Sequence, residues 1–105
     1  MVIRRGEVWW SEHAQLGRRP VLVLSRDAVL PALARPLVAP LTTRVRGVPT
    51  EVPLDEDDGL PQACVASLDN VQPFDASLLV DRIGRLGPHR MREVCQALAI
   101  ATECA

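Results

Sequence analysis

Lysine is absent from this 105-residue sequence, and so is tyrosine. Every basic side chain is an arginine, whose planar fork suits paired oxygens on a carboxylate or phosphate better than a point charge does. Cysteine is scarce and odd in number. Cys64, Cys95 and Cys104 fit neither a disulfide framework nor a metal-ligand spacing, so no metal centre and no cofactor is expected. Cys64 alternates with apolar neighbours and Cys95 lies on an apolar helical face, so both are expected as buried small hydrophobes. No run reaches the roughly 18 apolar residues of a membrane span, and the N-terminus lacks a signal peptide's apolar stretch. The expectation is a cytoplasmic protein with no membrane partner.

What is present is unevenly spread. Apolar residues make up 48% of the chain and charged residues 24%, an ordinary balance for one globular domain spanning residues 1–105. The formal charge of −1 hides an asymmetry. Residues 1–50 carry eight arginines against Glu7, Glu12 and Asp27, a net of +5, whereas residues 51–105 carry four against ten acids, a net of −6. A basic half within a neutral protein can form a local anion-binding face. An arginine-rich surface balanced elsewhere by acids is the plainer reading.

Short β-like runs alternate with Pro and Gly punctuation. Residues 6–10, 20–25, 35–43, 48–54, 62–71 and 81–86 read as strands. The run 20–25 is continuously apolar, so it is expected to be buried on both faces. Pro40 marks an edge or bulge. The segment 48–54 is expected to pair back on the third strand as a hairpin across the turn Arg44–Gly47. Residues 55–61, "DEDDGLP", read as a solvated, flexible acidic loop, and 75–80 as a short helix capped by Asp75. Pro88 starts a final helix, with Met91, Val94, Cys95 and Leu98 at i, i+3, i+4 and i+7. Many short strands and one closing helix imply a mainly β (α+β) fold, a small bent sheet or partial barrel.

Three polar clusters sit at strand ends: Arg18–Arg19, Thr42–Thr43 and Asp69–Asn70. Taken singly, each has a plain structural role in β-propensity, capping or turns. Arg19 is the exception in its mounting. Pro20 fixes its own backbone and holds the preceding residue extended, so Arg19 sits on a stiff stem.

In this order, the stretches "RRGEVWW", "GRRPVLVLSRD", "VAPLTTRVRGVPTEVPL", "SLDNVQ" and "RIGRL" with its following helix resemble the MazF/PemK family of toxin endoribonucleases, over nearly the whole chain. The resemblance implies an SH3-like partial barrel of short antiparallel strands with a C-terminal helix, forming a homodimer. It implies sequence-selective, metal-independent cleavage of single-stranded RNA. It also implies a MazE-like antitoxin whose disordered, acidic and apolar C-terminal tail covers the RNA groove. By position, Arg19 and Thr42 correspond to the family's catalytic pair. Arg18, Thr43 and Arg44 beside them, and Asp69 and Asn70, are then expected to hold RNA. The first loop, "SEHAQLG", lacks the family's Ser-Glu-Gln, and Glu12, His13 and Gln15 stand as loose substitutes. The segment after Asp69–Asn70 lacks the basic residue often found there.

RNA cleaves by attack of a ribose 2′-OH on the adjacent phosphorus, which builds negative charge on phosphoryl oxygens and on the leaving 5′-oxygen. A guanidinium can clamp two such oxygens while a hydroxyl donates to another. Arginine gives up its proton only far above neutral pH, which makes it a poor general base. Arg19 is therefore read as an electrostatic stabiliser or as a proton donor to the leaving oxygen. His13 has a more suitable ordinary pKa for a base, but an exposed loop histidine is the plainer reading. Strand alternation places one of Trp9 and Trp10 in the core and leaves the other to face RNA or a dimer interface. Two other functions remain open on the same residues. One is a toxin that poisons a topoisomerase by protein contact, and the other is a silent RNA- or partner-binding module.

Overall fold

The computed structural model describes residues 2–15 and 17–104. Leu16, in the first loop, lies outside them. Among the described residues, seven strands are formed: β1 (Glu7–His13), β2 (Gly17–Val23), β3 (Leu37–Thr42), β4 (Glu51–Leu54), β5 (Cys64–Ser67), β6 (Gln72–Pro73) and β7 (Leu79–Arg85). A helix, α1 (Pro88–Thr102), closes the chain. The sheet order is β4-β5-β3-β2-β1-β7, with β6 added beside β3, and every pairing is antiparallel.

The apolar run after Pro20 behaves as its composition demands. Val21, Leu22, Val23 and Leu24 are all buried, and alternation divides them between two cores. Leu22 and Leu24 join Val8, Ala39, Leu41, Val52, Leu54, Leu60 and Leu68, over which α1 lays Val94 and Ala97. Val21 and Val23 join Trp9, Leu30, Val38 and Leu79 on the opposite face. Trp9 is thus the buried tryptophan. Its indole N–H donates to Glu7 Oε1 at 3.2 Å, and the same buried carboxylate accepts from the Arg4 amide at 2.7 Å and from Arg82 at 3.2 Å.

Several expectations are corrected. β4 does not pair with β3; it pairs with β5, Glu51 opposite Ser67 through Leu54 opposite Cys64. β5 takes the β3 edge, so the Arg44–Gly47 segment is a crossover and not a hairpin turn. The acidic stretch is ordered by its own carboxylates. Asp55 accepts from the Asp57 amide, Asp58 accepts from the Asp55 amide, and Gly59 ends the turn at φ 85°, a left-handed conformation that favours glycine. Arg90 of α1 then grips Asp58 at 3.2 Å. Asp75 caps a short 3₁₀ turn, Ala76–Leu78, as expected, by accepting from the Ser77 amide. On α1 the inward stripe runs through Met91, Val94, Ala97, Leu98 and Ala101. Cys95 falls just outside it and is exposed, 3.3 Å from an Arg5 nitrogen. Cys64 is half-buried.

Candidate active site

Two prolines decide where the site opens. β2 and β3 pair through Val23–Val38, Leu22–Ala39 and Val21–Pro40. Continuing that register would set Pro20 against Leu41 and Arg19 against Thr42. Instead the ladder stops. Neither Pro20 nor Pro40 has an N–H to donate, and after Pro40 β3 changes partner: Leu41 pairs with Ala66 and Thr42 with Val65 on β5. β2 meanwhile stays with β1, where Trp10 faces Pro20, Ser11 faces Arg19 and Glu12 faces Arg18. The parting of the two strands leaves a cleft of about 220 Å³.

Arg18, Arg19 and Pro20 line one side of the cleft and Leu41, Thr42 and Thr43 another. Leu60, Pro61, Cys64 and Ile83 supply apolar lining, together with Gln62 and with Trp10 of β1. The sequence-derived catalytic pair therefore shares one concavity.

Backbone contacts set the two members of that pair. Ser11 Oγ donates to the Arg19 carbonyl at 2.8 Å, tying the arginine's main chain to β1. The Arg44 amide donates to Thr42 Oγ1 at 3.1 Å, which holds the threonine hydroxyl at the strand end. Thr43 lies just past the end of β3 and also lines the cleft. Burial, reinforced by the charge of Asp58, pushes the Cys64 thiol above its ordinary value. Cys64 is thus a neutral thiol near pH 7 and offers no thiolate nucleophile.

Residues 4–102 match the family described as PemK-like, MazF-like toxin of type II toxin-antitoxin system. The chain belongs to the PemK/MazF toxin family. A Mycobacterium tuberculosis protein named probable endoribonuclease MazF5 is 51% identical over 102 residues, covering 96% of this chain and 94% of its own. Among solved structures, Mycobacterium tuberculosis toxin MazF-mt6 superposes with a TM-score of 0.84 at 37% identity, over 92% of this chain and 96% of its own. An endoribonuclease in complex with its cognate antitoxin, from a mycobacterial species, superposes with a TM-score of 0.87 at 28% identity, over 98% of this chain and 97% of its own. The expected β-rich MazF fold with a C-terminal helix is thereby established.

The other MazF-type candidates are placed differently. Glu12 and His13 line a shallow depression with Ala14, Gly17 and Arg18, next to the cleft and joined to it through Arg18. His13 Nδ1 accepts from the Gln15 amide at 3.1 Å, so His13 and Gln15 shape the first loop together. Asp69 and Asn70 form a 3₁₀ turn after β5, where Asp69 accepts from Thr50 Oγ1 at 2.5 Å and Asn70 donates to Ser67 Oγ at 2.8 Å. Neither lines the cleft. Sequence reasoning missed Leu60, Pro61, Gln62, Cys64 and Ile83. Only the ordered acidic turn before them, a capping pattern mistaken for a loose loop, carried a signal. Among the described residues, no three of His, Cys, Asp and Glu gather as metal ligands, and no helix is long and apolar enough to cross a membrane.

Proposed function

We propose that this MazF-family toxin cleaves single-stranded RNA at the cleft where β2 and β3 part, using the substrate's own 2′-hydroxyl as nucleophile. The observation that carries the proposal is the sharing of one concavity by Arg19 and Thr42, residues their strands would otherwise have set opposite each other. Arg19 stabilises the charge that develops on phosphoryl oxygens, and Thr42 Oγ1 donates to one of them. Because the nucleophile belongs to the substrate and a guanidinium supplies the positive charge, the reaction needs no metal and no cofactor. Thr43 and Arg44 flank the scissile phosphate. Glu12, His13 and Gln15, beside the cleft, extend the RNA-contacting surface, while Asp69 and Asn70, taken up by Thr50 and Ser67, brace the turn after β5.

One domain, residues 1–105, carries this activity as a homodimer in the cytoplasm, where its RNA is found. The partner is an antitoxin whose acidic, apolar tail orders on binding and excludes RNA from the arginine-rich first half. A structural neighbour solved with its cognate antitoxin supports that reading. The test is cleavage of a mixed RNA pool with end mapping. Wild type is expected to cut at a restricted set of sequences and Arg19→Ala to leave the pool intact. Unchanged cleavage by Arg19→Ala would overturn the site assignment.

A further inference from the structure

Arg18 and Arg19 are adjacent, both exposed and both on the cleft, yet Arg18 is fastened in a way that bears on what it binds. One terminal nitrogen donates to Glu12 Oε1 at 3.0 Å and the other to Asp81 Oδ2 at 2.9 Å. The two carboxylates reach it from β1 and β7. Its guanidinium carbon lies over the Trp10 ring, 5.1 Å from the centroid. The Arg18 side chain is still 47% exposed.

The electrostatics decide which ligand suits such a group. Arg18 with Glu12 and Asp81 carries a net charge of −1, so a phosphate approaching it must compete with two carboxylates of its own sign. A neutral nucleobase meets no such repulsion. Arginine planes and aromatic rings are the surfaces on which unstacked RNA bases lie, and a guanidinium held at both terminal nitrogens loses little freedom when a base settles on it. We infer that Arg18 is a base-stacking platform and not a phosphate ligand: braced by Glu12 and Asp81 over Trp10, it receives the base of a nucleotide flanking the scissile phosphate. This rests on the RNA-binding reading of the cleft and gives Arg18 a role different from that of Arg19. Gln62 lines the same cleft, and its amide has the donor and acceptor that a base edge requires.

The test holds charge constant and removes the plane. Arg18→Lys keeps the cation and its carboxylate partners but has no flat face. Binding is measured by fluorescence anisotropy with two labelled, uncleavable 2′-O-methyl oligonucleotides of about ten nucleotides, a length typical of single-strand sites. One carries adenine throughout; the other is abasic with the same number of phosphates. Arg18→Lys is expected to weaken binding of the adenine oligonucleotide about ten-fold, the scale of one lost base stack, and to leave the abasic one unchanged. Equal affinity of wild type and Arg18→Lys for both oligonucleotides would overturn the proposal, as would an equal loss on both, which is the signature of a phosphate contact. If Arg18→Lys loses the adenine oligonucleotide selectively but wild type cuts no RNA, the proposed activity fails while the platform stands. If wild type binds neither, both fail.

Discussion

Two polar clusters of this chain look alike on paper and are built to opposite ends. Thr42–Thr43 and Asp69–Asn70 each follow an apolar strand, β3 and β5, which are neighbours in the sheet. At the end of β3 the partner strand β2 has departed, so the threonines border a cleft opposite two arginines. At the end of β5 the chain folds into a 3₁₀ turn whose side chains are taken up locally, Asp69 by Thr50 and Asn70 by Ser67. A polar residue at a strand end becomes available to a ligand where a neighbouring strand leaves, and becomes a staple where the chain turns back on itself.

The sharpest way to break that contrast is at Arg19. Arg19→Ala is expected to lower kcat by ~10²–10³, the usual consequence of losing one transition-state donor. Arg19→Lys should fare nearly as badly, because an ammonium cannot reproduce the fork. Single-turnover cleavage reads both, and a lysine variant within a few-fold of wild type would show that charge alone suffices. Thr42→Ala comes next. It removes a donor from the cleft and leaves the Arg44 amide without its acceptor, so kcat should fall by about ten-fold or more, with a smaller loss for Thr43→Ala.

At the other cluster the expected change is in stability. Asp69→Ala deletes the acceptor of Thr50, at a cost of about 1 kcal/mol after allowance for exposure, which lowers Tm by about 4–8 °C for a domain of this size. Its KM should rise modestly while kcat stays within a few-fold of wild type. A large fall in kcat with unchanged Tm would erase the distinction between the two clusters. The smallest effect is chemical. At pH 8, iodoacetamide followed by mass mapping should label Cys95 and Cys104 before Cys64. Cys64 is half-buried and its thiol is raised above its ordinary value by burial and by Asp58, so it ionises less readily than an ordinary exposed thiol. Labelling of Cys64 first would contradict this account of its surroundings.

Much of this was legible because local chemistry and fold agreed. The apolar run Val21–Leu24 could only be doubly buried, Asp75 could only cap, and Pro88 with its periodic apolar residues could only begin the last helix. The pairing of β4 was not legible. Residues 44–47 look like a turn, and nothing local states that β5, some twenty residues on, takes the β3 edge first. Long-range pairing is decided by which edge buries which face, and short strands carry too few residues to announce it. Cys95 was misplaced for a similar reason. It lies one position off the inward stripe of α1, and periodicity leaves such flanking positions undecided until the helix is docked. At the site, Arg19 and Thr42 were singled out by the family resemblance, and one cleft is lined by both. Alternation left Trp9 and Trp10 undecided between core and cleft, and Gln62 and Asp81 were not readable, since their place on the cleft or beside Arg18 follows from how β1, β7 and the turn after β4 assemble.

The central claim is that the cleft acts on RNA through the substrate's own hydroxyl. Its most direct test is a substrate with one 2′-deoxy sugar immediately 5′ of the scissile phosphate, run beside its all-ribose counterpart with and without excess chelator. The account predicts that the ribose substrate yields a 2′,3′-cyclic phosphate and a 5′-hydroxyl in both conditions, and that the deoxy substrate is bound but uncut. Cleavage of the deoxy substrate, products ending in 3′-hydroxyl and 5′-phosphate, or activity abolished by chelator would contradict it.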